Sequence, residues 1–235
     1  MRRFIDLHLR QPNRAEELEL MLRTAADTGY GAVAVAEGQA NLSRASKSSG
    51  EIGIDLISRV DLRPHSDRDL SALLSRVRRR FEVVAVECGS KAVARQAAKD
   101  HRVDILVFSA SLSTRAKTWF DDHEAVLAAE SNCAYEINVG DLLLQGPVTV
   151  AKLLSTIRLE IENARKHGIP IVASSGADSH MLMREPRGLT ALLDLVGVDE
   201  EVGLDMISRT PQRIVEVNRA KLSPSFIAPG VRRVG

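Results

Sequence analysis

Residues 150–174 read VAKLLSTIRLEIENARKHGIPIVAS, and they contain the unit from which most of the chain is built. Val150, Leu153, Leu154, Ile157, Ile161 and Ala164 recur at three- and four-residue steps and share one stripe, while Arg158, Glu162 and Lys166 take the opposite side. Gly168 and Pro170 stop the helix. The run at 169–174 that follows is short and rich in Ile, Val and Ala, the pattern of a strand covered on both faces.

Outward from this unit the same alternation repeats. Strand-like runs fall at 3–8, 31–36, 53–62, 82–87, 103–109, 134–139 and 169–174. The helix after the first places Leu18, Met21, Leu22 and Ala25 on one face, with Asn13 and Glu16 spaced as a capping box and Gly29 as the stop. Strands separated by helices of this length pair in parallel through right-handed crossovers, because parallel neighbours need a long return. Seven such units predict an α/β, TIM-barrel-like fold with about seven parallel strands. A doubly wound open sheet is the competitor, but neither GxGxxG nor GxxxxGK[ST] occurs. Past the seventh strand only helices are expected, at 186–196, 200–208 and 211–221, the last opened by Thr210 as N-cap with Pro211 in its first position. No regular eighth strand is evident, so the barrel is expected to be incomplete or closed by a helix. Residues 1–222 read as one domain and 223–235, SPSFIAPGVRRVG, as a flexible basic tail.

Composition narrows the function classes. With 32 Lys and Arg against 31 Asp and Glu, the formal net charge is +1, so the chain is no electrostatic glove for nucleic acid and any RNA contact must be local. Cys88 and Cys133 sit in apolar runs without CxxC spacing, which predicts buried free thiols and a reducing cytoplasm. The opening MRRFIDLH enters a strand pattern at once, and no run approaches bilayer-crossing length, so a soluble, cytoplasmic protein without membrane contact is expected. No GxSxG elbow is present.

The sharpest chemical candidates are two D-x-H steps, Asp6 and His8 in the first strand and Asp178 and His180 after the seventh. Alternate strand residues share a face and barrel sites gather at strand ends, so the four together suit a divalent metal that activates water. Equally, each Asp and His can cap a strand end or turn. Glu37, Asp61 and Glu87 lie near the expected rim, whereas His65, His101, His123 and His167 sit in turns and at helix ends, which leaves too few histidines for a multi-histidine centre.

Basic residues cluster at 43–47 in a polar loop, at 76–80 (RVRRR), at 115–117 and at 184–187. Arg115, Lys117, Arg184 and Arg187 fall in loops on the strand C-terminal side, where barrels keep functional groups, and with Arg59 they form the candidate RNA-contacting set. Trp119 beside them can stack on a base or pack against the barrel wall. At 3% aromatic content, recognition through phosphates, RNA shape or a protein partner is favoured over a stacking platform.

Taken together and in order, MRRFIDLHLR, IDLISRVDLRP, VDILVFSASL, ARKHGIPIVASSGADSH, MREPRGLTALLDLVG and TPQRIVEVNRAKL resemble ribonuclease P protein component 3 of archaea and eukaryotes, over residues 3–222. The resemblance implies a barrel of the polymerase and histidinol phosphatase (PHP) type. It implies a noncatalytic subunit of the ribonucleoprotein that removes 5′ leaders from precursor tRNA. The implied partners are the catalytic ribonuclease P RNA, precursor tRNA, protein component 2 and the other protein subunits. Magnesium is then required by the RNA, and no tightly bound cofactor is expected on the chain. PHP hydrolases carry H-x-H in strand one; here Asp6 replaces the first histidine, while ADSH at 177–180 matches their late D-x-H motif. Asp6, His8, Asp178 and His180 thus become candidates for a vestigial metal site, and no residue is assigned a catalytic role. Basic loops presented to RNA phosphates would lower the magnesium needed to fold the RNA. Two readings stay open beside this one: an autonomous metal-dependent PHP-type phosphoesterase, and a structural scaffold that binds a protein partner through an apolar patch.

Overall fold

The computed structural model describes residues 2–12, 14–36, 39–228 and 231–232. The seven apolar runs form strands β1 (Phe4–Arg10), β2 (Tyr30–Ala36), β3 (Asp55–Leu62), β4 (Val83–Glu87), β5 (Ile105–Val107), β6 (Ala134–Asn138) and β7 (Ile171–Ser174). They pair in parallel and in chain order, β1 beside β2 through to β7. The helices among the described residues are α1 (Ala15–Asp27), α2 (Gln39–Ile52), α3 (Asp67–Val77), α4 (Lys91–Ala98), α5 (Leu112–Arg115), α6 (Asp122–Ser131), α7 (Gly140–Leu143), α8 (Pro147–Lys166), α9 (Pro186–Asp194), α10 (Glu200–Met206) and α11 (Arg209–Leu222). The predicted seven-stranded α/β barrel is the observed fold.

Period-two alternation sorts each strand's side chains between two cores. Ile5, Ala34, Ile57, Ala85, Ile105 and Val172 point inward and meet along the barrel axis. The outward set packs beneath the helices in two clusters, one under α1 and the other under the helices from α3 to α10. Each fully buried Leu, Ile or Val contributes about 1.5–3 kcal/mol by leaving water, which is what holds so many short strands in one register. The stripe on α8 is realised as read, with Leu153, Ile157, Ile161 and Ala164 buried and Gly168 at φ 68° ending the helix.

Closure follows the expectation of an incomplete barrel sealed by helix. Near their C-terminal ends β1 and β7 meet: the Gly176 amide donates to His8 O at 3.0 Å, and the Arg10 amide to Ala177 O at 2.8 Å. At the other end the Ile5 amide donates instead to Ile207 O, just before α11, and Val215 of α11 joins the interior cluster. Helix α11 therefore stoppers the N-terminal end of the barrel.

Local readings are corrected in two places. Helix α11 starts at Arg209 with Ser208 as N-cap, two residues ahead of the expected Thr210, and Pro211 lies inside its first turn, where amides lack intrahelical acceptors anyway. Residues 43–47, read as a loop, lie within α2. The 223–235 segment contains an antiparallel pair, β8 (Phe226–Ala228) with β9 (Val231–Arg232). Asn13, expected to cap α1, and Glu37 lie outside the described residues, and α1 begins after Arg14 without a side-chain cap.

Candidate functional site

At the strand C-terminal end the barrel interior changes from apolar to charged. Arg59 on β3 is completely buried and spans the axis: its Nη1 and Nη2 donate to Glu136 Oε1 and Oε2 on β6 at 2.8 and 2.7 Å, its Nε donates to Asp61 Oδ1 at 2.8 Å, and Nη1 also reaches Leu7 O at 2.6 Å. Alternation places Arg59 and Asp61 on the same inward face of β3 and Glu136 and Asn138 on that of β6.

His8 enters this cluster because β1 bulges. Its pairing with β2 passes from Asp6 with Val33 to Leu9 with Val35, three steps against two, so the Asp6-x-His8 alternation is broken. The His8 ring turns inward, with Nε2 2.9 Å from Asp61 Oδ2 and Nδ1 2.9 Å from Asn138 Oδ1 and 3.2 Å from Glu136 Oε2. Asp6 stays at the β1–β7 seam, where Oδ1 accepts from the amides of His8 at 3.2 Å and Ser175 at 3.1 Å.

Charge in the cluster balances. Burial and the neighbouring Arg59 oppose a charged His8, but Asp61 and Glu136 outweigh them and raise its pKa from 6.5 to about 9. Burial likewise opposes ionised Asp61 and Glu136; the Arg59 guanidinium and the His8 imidazolium overcome it and hold both carboxylates far below their usual range. Burial pushes Asp6 the other way, towards its neutral form. Two cations thus face two anions, Arg59 and Glu136 out of water and His8 and Asp61 nearly so.

This donor set does not fit a catalytic metal. Every carboxylate oxygen of Asp61 and Glu136 already meets Arg59 or His8, and the guanidinium fills the space that a shared cation would take. Asp6 Oδ2 is buried without a partner among the described residues, but it is a single oxygen on a carboxyl biased towards neutrality. The other D-x-H step does not join it. Asp178 is exposed, and His180 turns to α1, where its amide and Nδ1 meet Glu17 Oε1 at 2.7 and 2.6 Å. Among the described residues no group of three His, Cys, Asp or Glu side chains is arranged to hold a metal ion. The four-residue centre expected from sequence is not assembled.

Two of the five basic candidates are likewise corrected. Arg59 is inside the barrel, out of reach of any phosphate. Arg115, only 6% exposed, is a clamp between α5 and α8: it pairs with the buried Glu160 and donates to Tyr135 Oη at 3.2 Å, while Glu160 also accepts from Tyr135 Oη at 2.5 Å and from the Phe120 amide at 3.0 Å. Arg184 is half-buried and donates to Met181 O and Met183 O at 3.1 and 2.8 Å; Arg187 is exposed and lies 3.5 Å from Glu200; Lys117 is exposed. Trp119 carries the Lys91 ammonium over its ring, 5.5 Å from the centroid, instead of standing free. Over the buried cluster lies a cleft of about 460 Å³, and its rim charges are matched, Arg10 with Asp141 at 2.6 Å and Arg63 with Glu87 at 2.7 Å.

Sequence reasoning missed Glu136 and Glu160. Both carried a signal: a lone acid at an inward strand position of AYEIN, and an acid three residues after Ile157 on the apolar stripe of α8. A buried acid requires a buried cation, so each pointed to an arginine.

Comparison with known proteins shows the family and the fold. The family model described as RNase P subunit p30 matches residues 3–223. Ribonuclease P protein component 3 of Methanosarcina mazei is 28% identical over 94% of this chain and 90% of its own, and that of Methanosarcina barkeri is 32% identical over 73% and 70%. Among solved structures, a chain of an archaeal ribonuclease P determined by cryo-EM with mature tRNA superposes at a TM-score of 0.84, with 19% identity and 98% of both chains covered. The ochratoxinase of A. niger shares the barrel at a TM-score of 0.68 and 10% identity, covering 91% of this chain and 71% of that one.

Proposed function

The chain belongs to the RNase P subunit p30 family, and from that premise we propose that it serves ribonuclease P as a protein subunit, supporting the RNA that removes 5′ leaders from precursor tRNA. The RNA performs the hydrolysis; the protein helps it to fold and to hold its substrate. The observation that carries this reading is Arg59 seated between Asp61 and Glu136. Metal-assisted hydrolysis needs a metal with an open coordination position, and here the carboxylates that would bind one are neutralised by the chain's own cations. The phosphoesterase reading is therefore not favoured.

In this reading magnesium belongs to the RNA. Surface lysines and arginines replace part of the condensed counterion atmosphere and so reduce the magnesium needed to fold it. The partners are ribonuclease P RNA, precursor tRNA, protein component 2 and the other protein subunits. A cytoplasmic location is supported by two buried free thiols, Cys88 and Cys133. Among the described residues no helix is long and apolar enough to cross a membrane.

Assembly tests the proposal. Mixed with cognate ribonuclease P RNA and the other protein subunits, the chain should co-elute with the ribonucleoprotein at physiological salt. Elution as a free protein under conditions where the other subunits assemble would refute it.

A further inference from the structure

Surface cations are unevenly matched at the two ends of the barrel. At the C-terminal mouth the two arginines that line the cleft are paired, Arg10 with Asp141 and Arg63 with Glu87. At the N-terminal end, Arg79, Arg80, Lys99, Arg213 and Lys221 are exposed and lack an acidic partner among the described residues. Most of the acids nearby are already engaged, Asp104 by Arg78 at 2.6 Å, Asp100 by Arg102 at 2.7 Å, and Asp55 and Glu82 by Arg219, while Glu216 on α11 accepts from Gln212 at 2.7 Å.

Helix α11 organises this excess. Arg209, Arg213, Val217 and Lys221 follow one another at four-residue steps, so they share one face and advance about 6 Å per step. All four line a groove of about 670 Å³ between α11 and the end of α6. Asp104 is the one acid in its lining, and Arg78 neutralises it. The helix dipole accounts for Lys221 in the last turn of α11, but it disfavours Arg209 in the first turn and does not account for Arg213 in the second. Asp205 pairs with Arg209 at 3.1 Å; Arg213 has no such partner among the described residues. A row of positive side chains along an open groove calls for a negative ligand with regularly spaced charges.

We propose that the groove along α11, at the barrel end opposite the catalytic mouth of related hydrolases, binds the phosphate backbone of RNA, with Arg213 and Lys221 as its principal contacts. This rests on the reading of the chain as a ribonuclease P subunit. Guanidinium and ammonium groups at this spacing track a phosphate chain without reading bases, which suits a subunit that supports an RNA fold. It also moves the RNA-facing surface away from the strand C-terminal loops.

The test compares the full chain with two charge-matched double variants, Arg213→Glu with Lys221→Glu in the groove, and Arg14→Glu with Lys152→Glu at the opposite end. Each is assembled with cognate ribonuclease P RNA and protein component 2, and RNA affinity is measured across salt concentrations. The groove pair should lower affinity at least tenfold near physiological salt and flatten the slope of log affinity against log salt by about 2, since each duplex phosphate contact contributes about 0.9. The control pair should stay within about twofold. Arg213→Gln with Lys221→Gln, which removes charge without reversing it, should move the same way with an unchanged melting temperature.

Wild-type affinity and slope in the groove pair would overturn the assignment while leaving the subunit reading intact. Loss of binding to component 2 with RNA affinity unchanged would make the groove a protein interface and overturn it equally. If the unmodified chain shows no salt-dependent association with the RNA, the subunit reading fails and this inference fails with it.

Discussion

Arg59 on β3 and Glu136 on β6 face each other across the barrel axis through two parallel hydrogen bonds of 2.8 and 2.7 Å, both residues fully out of solvent. Removing one partner strands the other. Arg59→Ala should destabilise the protein by about 3–5 kcal/mol, a large part of a domain's net stability. Arg59→Met with Glu136→Gln should recover at least half of that, since the His8–Asp61 pair remains. Urea unfolding of the three proteins checks this, and an Arg59→Ala variant as stable as wild type would show that the pair is not structural.

Alkaline pH should weaken the fold. The folded pKa of His8, about 9, lies above its ordinary 6.5, so its contribution is complete below 6.5 and is lost as pH rises through 9. The loss approaches about 3 kcal/mol. Asp61 and Glu136 act in the opposite sense: depressed in the fold, they contribute above the ordinary carboxylate range and lose that contribution as pH falls below it. Urea midpoints should therefore be highest between about pH 5 and 6.5. His8→Gln should remove most of the decline between pH 6.5 and 9; the same decline in both proteins would contradict the placement of the proton.

Arg115 and Lys117, two residues apart, should behave differently. Arg115→Ala leaves Glu160 buried without its cation and should cost about 3 kcal/mol. Lys117→Ala, on the surface, should stay within about 0.5 kcal/mol of wild type. Thermal melts of both variants decide it; equal melting temperatures would mean that the Arg115 clamp carries no stability.

The isolated chain should hydrolyse no phosphate ester. With manganese or zinc added, p-nitrophenyl phosphate turnover should stay at the buffer rate, and the melting temperature should not rise as it does when a folded state binds a ligand. Turnover that disappears in His8→Gln would revive the phosphoesterase reading.

Much of the fold was legible because strand and helix periodicities are local. The α8 stripe, the seven apolar runs and the glycine stops each announce themselves within a few residues. The centre was harder, since its partners are distant in sequence: Arg59 and Glu136 are 77 residues apart and Arg115 and Glu160 are 45 apart. Without barrel register, an arginine in a strand or a loop reads as a surface charge. The bulge between Asp6 and Leu9 was also hidden, because DLHL continues an unbroken alternation and nothing local shows that β2 advances by one residue fewer. The α11 row of Arg209, Arg213 and Lys221 was visible as spacing, but its exposure depended on which face of the helix stoppers the barrel.

Whether the chain supports the catalytic RNA is decided by precursor tRNA cleavage. The cognate ribonuclease P RNA with component 2 is assayed at limiting magnesium, with and without this chain. Adding the chain should raise the rate of cleavage at the mature 5′ end and lower the magnesium needed for half-maximal activity. An unchanged rate and magnesium requirement, in a preparation where the chain is folded and the RNA is active, would contradict that role.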